Sequence, residues 1–271
     1  MTVADIEIPR VLPGDLRHLS VASIRTYLQS LYRWRLRYLD NMYEPTSGAA
    51  IIGAAAGAAE GASFHHVIQA GAPLATEAVL DLYSDEFDER AERDEVDWHA
   101  EKPGQAKDQG RDALAVYHER LAPQVRPVTV ERRVELSFDG ADWTFVGYLD
   151  VETAENRLLD VKVKARMLAQ PDADSALQPA AYLAARRAEG HPADGFDYHI
   201  MRRGTHPDTG VVTTERTNVQ LDAFLVRVAT VAREIAWRAE YDVWQGAPEG
   251  AWWCSERWCG YWHSCPFGGG R

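Results

Sequence analysis

The segment Leu158-Leu-Asp-Val-Lys-Val-Lys164 sets an acid and two amines at alternate positions. In a strand, alternate residues share a face. Leu159, Val161 and Val163 then enter a core, while Asp160, Lys162 and Lys164 share the other side of a half-buried strand. Charged groups held there are costly without partners, and a divalent cation with a phosphate would satisfy them. Upstream, Phe145-Val-Gly-Tyr-Leu-Asp150 ends on a second carboxylate. A hairpin with an odd-length turn, such as Thr153–Arg157, sets Asp150 opposite Asp160. Two carboxylates at that range repel and raise each other's pKa unless a cation sits between them. Ligands that are mainly oxygen favour Mg2+ or Mn2+ over Zn2+. Downstream, Gln178 and Tyr182 share one face of a predicted helix, where an amide can bond a phosphate or base edge and a phenol can stack. Taken singly, each piece also suits an ordinary charged hairpin or a structural helix.

Positioning these residues requires a mixed α/β fold. Apolar residues from Ser20 to Leu39 recur at helical spacing, with Ser20 or Ser23 as the cap. Helices are also predicted over 49–70, 75–95, 108–121, 176–189 and 221–244. Gly53, Gly57 and Gly61 weaken the first of these, or mark a face packed closely against another element. Strands are predicted over 128–138, 143–151, 157–164 and 197–203, with turn residues between them. The order gives an α/β domain over 1–245, a small mixed central sheet flanked by helices, and a Cys/Trp-rich tail over 246–271 packing on the N-terminal helix.

In order, Gly147-Tyr-Leu-Asp150, Asp160-Val-Lys162 and Gln178-x-x-x-Tyr182 resemble the RecB-like branch of the PD-(D/E)XK nucleases, which includes phage and CRISPR-adaptation exonucleases. The N-terminal Ser20–Tyr38 helix and Gly61-Ala-Ser-Phe-His65 resemble that branch as well. The resemblance implies a restriction-endonuclease-like core. It also implies a metal-dependent DNA nuclease, with exonuclease action in replication, recombination or repair, and a recombination or replication protein as a further partner beside DNA. It places the metal on Asp150, Asp160, His65 and the main-chain carbonyl of Val161. Lys162 would orient the nucleophile and stabilise developing charge. Gln178 and Tyr182 would place the DNA strand, with Arg33, Arg35, Arg37, Lys164 and Arg166 as backbone contacts. A metal-bound imidazole tilts the choice towards Mn2+. Many relatives carry an acid one turn after that histidine; here the place holds Gln69, and Glu60 is the nearest acid.

Cys254, Cys259 and Cys265 stand among tryptophans and tyrosines. Some relatives bind a [4Fe-4S] cluster through three such cysteines and one N-terminal cysteine, a place that Ser30 takes here. The tail then holds a cluster with a non-cysteine fourth ligand, or Zn2+ with His263, or aromatic packing without metal. Cysteines so confined are no secreted disulfide framework, and no apolar run spans a bilayer, so a cytosolic protein is expected. The net charge of −12 does not exclude nucleic acid, because a local basic groove suffices. Much of the acid lies in 84–97, which reads as a solvated helix face. Two other readings stay open: a non-catalytic nucleic-acid-binding or assembly protein on a decayed nuclease fold, and a metal or redox module on the tail.

Overall fold

The periodicity from Ser20 to Leu39 predicts one helix, and the chain makes two. Ser30 has an extended backbone (φ −163, ψ 120), and its Oγ accepts the Arg33 N–H at 3.3 Å, capping a second helix. A serine side chain competes for backbone donors in this way and favours a cap over a helix interior. The computed structural model describes residues 2–269. Its order is β1 (His18–Leu19), α1 (Val21–Gln29), α2 (Leu31–Tyr38), β2 (Thr46–Ser47), α3 (Gly48–Ala70), α4 (Thr76–Arg93), β3 (Val96–Asp97) and α5 (Pro103–Arg120). There follow β4 (Pro127–Ser137), β5 (Thr144–Thr153), β6 (Arg157–Lys164), α6 (Gln170–Ser175), α7 (Leu177–Ala188), β7 (Gly195–Arg202), β8 (Asp208–Thr214) and α8 (Asn218–Tyr241). β1, β2, β3, α6 and β8 lie outside the elements predicted from the sequence.

Six strands form a mixed central sheet. β4 pairs antiparallel along the whole of β5. The other edge of β5 is divided between two partners: parallel β1 at Thr144 and Phe145, and antiparallel β6 at Val151 and Glu152. Between these contacts the edge is open. β6 continues parallel to β7, which pairs antiparallel with β8.

Both faces of the sheet are covered. Leu158 belongs to a core with Phe145, Leu149, Phe196 and residues of α1, α7 and α8. Leu159 belongs to a second core with α3, α4 and α5, against which Val161 and Val163 pack. The strand expected to be half-buried is therefore enclosed on both sides at its start, and Asp160 is 1% exposed. The physical reason is α7, which lays its apolar face over the side of β6 that carries Asp160.

The tail runs back onto α1 and α2. Glu44 accepts two hydrogen bonds from Arg33, at 3.0 and 2.8 Å, and one from the Gly260 N–H at 2.8 Å. Tyr261 donates to the Met42 carbonyl at 2.6 Å, and Trp253 to the Gln29 carbonyl at 3.3 Å. Among the described residues no helix is long and apolar enough to cross a membrane.

Two glycines separate close packing from open space. A methyl group on Gly147 would overlap the Tyr182 ring, whereas one on Gly57, within α3, would meet nothing. Gly147→Ala is expected to lower stability by about 1–3 kcal/mol through overpacking. Gly57→Ala is expected to raise it by about 1 kcal/mol through helix propensity. Urea denaturation of both variants checks the pair of signs.

Candidate active site

β5 and β6 pair only at their hairpin end, Val151 with Leu159 and Glu152 with Leu158. Extending that register by one step would set Asp150 opposite Asp160, but the strands part there. The fork frees the Val161 N–H, which donates to Asp150 Oδ2 at 3.0 Å. The Asp150 side chain thus lies in the slot between the strands. Asp160 takes Lys162 Nζ and Gln178 Nε2 on Oδ1, at 2.8 and 2.6 Å. Its Oδ2 is also 2.8 Å from Lys162 Nζ, yet it is sealed from solvent and lacks a hydrogen bond of sound geometry.

The electrostatics follow from this crowding. Burial, then the neighbouring Asp160 charge, pushes the Asp150 carboxyl up to about 7, against the pull of Lys162 and the Val161 N–H. Burial alone would lower the Lys162 pKa; the Asp160 and Asp150 charges outweigh it, and the amine stays firmly protonated.

A cavity opens beside Asp150, lined by Val161, Lys162, Glu131, Arg90 and the α3 residues Gly53, Gly57, Glu60 and Gly61. The glycines four apart do not all mark close packing: a methyl on Gly53 or Gly57 would meet nothing, so this face of α3 leaves room. Glu60 is 1% exposed. Its Oε2 is held by His118 Nδ1 at 3.0 Å, while the other ring nitrogen of His118 meets the Leu74 carbonyl at 3.0 Å. The hydrogen bond to Glu60 raises the His118 pKa, burial opposing it. Glu60 Oε1 has no partner.

The structure brings together Asp150, Asp160, Val161, Lys162, Gln178 and Tyr182, with Tyr182 buried against Gly147. His65 is exposed and does not line the cavity; Glu60 does. The two are five residues apart on α3, so they point to different sides of the helix. Arg33 is ion-paired with Glu44, and Arg35 with Asp40 and Asp242. Arg33 and Arg37 line a different cavity, near the tail. Arg166 is exposed, and Lys164 is partly exposed at the far end of β6. Cys254, Cys259 and Cys265 line one small cavity together with Ser30. Glu131 and His118 carried no signal in the sequence pattern.

The chemistry of the donor set fits a divalent cation. Two buried carboxylate oxygens, Glu60 Oε1 and Asp160 Oδ2, lack a hydrogen bond, and Asp150 is strained towards its neutral form. A cation taken up by oxygen ligands would relieve all three. Among the described residues no three His, Cys, Asp or Glu side chains already stand as a finished cage, since Asp160 is turned to Lys162 and Gln178.

The sequence profile described as the PD-(D/E)XK nuclease superfamily matches residues 18–266. No curated protein matches the sequence. A solved structure from Eubacterium rectale, described as a candidate exonuclease, aligns at a TM-score of 0.55 and 13% identity, over 86% of this chain and 85% of its own. At that identity it shows a shared fold. A structure named SSO0001 aligns over 91% of this chain and 95% of its own at 10% identity, but its TM-score of 0.35 carries no argument.

The raised Asp150 pKa makes a stability statement. In the metal-free fold the ionised form is penalised, so this group's stabilising contribution is present below its ordinary value and lost as pH rises through about 7. Asp150→Asn removes the penalty. Above pH 7 the variant is expected to melt at a higher temperature than the parent in chelator, with the gap closing as pH falls towards 4. Thermal melts across that range check it; a gap independent of pH would refute the assignment.

Proposed function

Because the chain belongs to the PD-(D/E)XK nuclease superfamily, we propose that it is a Mg2+- or Mn2+-dependent deoxyribonuclease of the RecB-like branch, with exonuclease action in DNA replication, recombination or repair. The observation that carries the reading is the fork: half-buried Asp150 and buried Asp160 meet between the strands, with Lys162 on one and an unpartnered Glu60 oxygen in the adjoining cavity. A divalent cation held there would supply Lewis acidity to phosphodiester hydrolysis, in which water adds to phosphorus and the P–O bond to the leaving oxygen breaks.

The chain's own residues do the rest. Asp150, Asp160 and Glu60 would supply carboxylate ligands, and Val161 a main-chain carbonyl. Lys162 stays charged and opposes the negative charge that builds on the phosphoryl oxygens. Gln178 positions Asp160 through its 2.6 Å hydrogen bond, and Tyr182 packs beneath the fork. The open face of α3 at Gly53 and Gly57 leaves space for a strand. Glu60, in place of His65, serves the first metal position, because it alone of the two lines the cavity. An all-oxygen set then removes the particular preference for Mn2+ that an imidazole would bring.

We assign no metal to the tail. Ser30 spends its hydroxyl on capping α2, and Cys254, Cys259 and Cys265, although they line one small cavity with it, do not stand as a three-ligand metal set among the described residues. Glu44 joins the chain ends instead, through Arg33 and the Gly260 N–H.

End-labelled linear and circular DNA, with RNA alongside, should be incubated with Mg2+, Mn2+ or chelator. Linear DNA is expected to shorten from its ends only with metal. Lys162→Ala should lose roughly 100-fold or more of turnover while its Mn2+ binding persists. Full turnover in that variant would remove Lys162 from the chemistry, and no cleavage by the parent chain would favour the decayed-nuclease reading.

A separate comparison bears on the first metal position. Glu60→Gln is expected to weaken Mn2+ binding by about tenfold or more, and His65→Ala to leave it within about twofold. Calorimetric titration with Mn2+ decides it, and the reverse order would return the role to His65.

A further inference from the structure

Five non-glycine residues among those described have positive φ, and only Glu131, at φ 52, lies inside a strand. A glutamate held there is strained. The kink has a visible consequence. In a regular strand neighbouring residues face opposite sides, yet Val130 and Glu131 both approach Gly61 of α3. Built on Gly61, a methyl would lie 3.6 Å from Glu131 Oε1 and 3.8 Å from Val130 Cγ1. The next residue, Arg132, is already on the opposite face, paired with Glu152 and Glu189.

The ladder between β4 and β5 pairs Val130 with Val151 and Arg132 with Leu149. The position across from Glu131 is therefore Asp150. β5 slips out of alternation at the same level. Leu149 packs in the core under α7, Val151 in the core under α3, and Glu152 is again on the α7 side beside Arg186. Paired distortions thus aim Glu131 and Asp150 towards one cavity. Glu131 is exposed to the cavity side, and among the described residues no side-chain hydrogen bond or ion pair holds it, so no side-chain partner within the protein explains the strained backbone. Arg90 lines the same cavity but is paired with Glu86. The independent sign of a ligand is Glu60 Oε1, buried in that cavity without a donor.

We propose that Glu131 is a further cation-binding residue, which from β4 would join Glu60 of α3 and Asp150 in holding a divalent metal ion in the cavity they line. The ligand class is a hard cation, Mg2+ or Mn2+, taken by oxygen alone. The idea rests on the nuclease reading of the fork, and it adds a carboxylate that the Asp-x-Lys motif does not include. The kinked backbone is the device that lends a sheet residue to the cavity without breaking the register on either side.

Two substitutions separate binding from structure. Glu131→Gln keeps the strain and removes the charge. Glu131→Gly removes both, since glycine accepts positive φ freely. With Mn2+ as the titrant, both variants are expected to lose about tenfold or more in affinity by calorimetry. In chelator, Glu131→Gly should melt a few degrees above the parent chain, roughly 2–4 °C. Higher stability with weaker Mn2+ binding is a signature that a purely structural glutamate would not give. Asp150→Asn is the control. If it abolishes Mn2+ binding while both Glu131 variants bind as tightly as the parent, this inference falls and the nuclease site stands. If Asp150→Asn also binds Mn2+ normally, or the parent binds none, the reading of the fork falls and takes this inference with it.

Discussion

Two carboxylates crowded side by side, one buried and one half-buried, repel each other and lose hydration, and the centre of this fold is organised around that conflict. Asp150 and Asp160 meet where β5 and β6 part. The Val161 N–H relieves one and the Lys162 amine the other, but not fully: Asp150 is pushed towards its neutral form, and Asp160 keeps an oxygen without a hydrogen bond. A site left in that condition is stable only as part of a larger fold, and it favours whatever brings positive charge to it.

The rest of the architecture keeps the fork open. β5 shares one edge between β1 and β6, so its middle has no neighbour on that edge. Gly147 lies in that middle, and Tyr182 fills the space a side chain would take. That contact seats α7, and α7 brings Gln178 to Asp160. On the other face, α3 presents glycines and alanines where a bulkier helix would close the cavity. His118 then fixes one oxygen of Glu60, which leaves the second without a partner beside the cavity that Asp150 also lines.

The fork's residues were legible because strand alternation and short spacing act locally. Asp150, Asp160 and Lys162 could be placed from the sequence since the hairpin between them is tight and its register has few solutions. β4 to β7, and the helices with a clear apolar stripe, followed for the same reason. The break at Ser30 did not, because helical spacing continues across it and only the cap chemistry of that serine separates the two helices. The two-residue strands carry no periodicity, and β8 hides its strand pattern behind Gly210. Glu131 was invisible for a deeper reason: its direction depends on a backbone conformation that no glutamate announces. The choice between His65 and Glu60 depended on the rotation of α3 about its axis. The Gly-x-x-x-His spacing draws attention to His65, whereas the packing of α3 against α4 and α5 turns Glu60 to the cavity and leaves His65 exposed.

The arginine-rich N-terminal helix bears on how an acidic protein would meet a polyanion. Arg33 and Arg35 are already neutralised by Glu44, Asp40 and Asp242, and Arg37 lies beside the rings of Tyr38 and Tyr43. These side chains bind the chain ends together, so they are not a free basic groove. A protein of net charge −12 with its cations so engaged gains little from long-range attraction to phosphate. The cations nearest the fork are few: Lys162, Arg90 across the cavity but paired with Glu86, and Lys164 further along β6. On the proposed reading, most of the attraction for a phosphate at this site would come from a bound divalent cation. Metal affinity and substrate affinity are in that case two readings of the same carboxylate cluster, and each carboxylate that strengthens the first also deepens the negative charge the second must overcome.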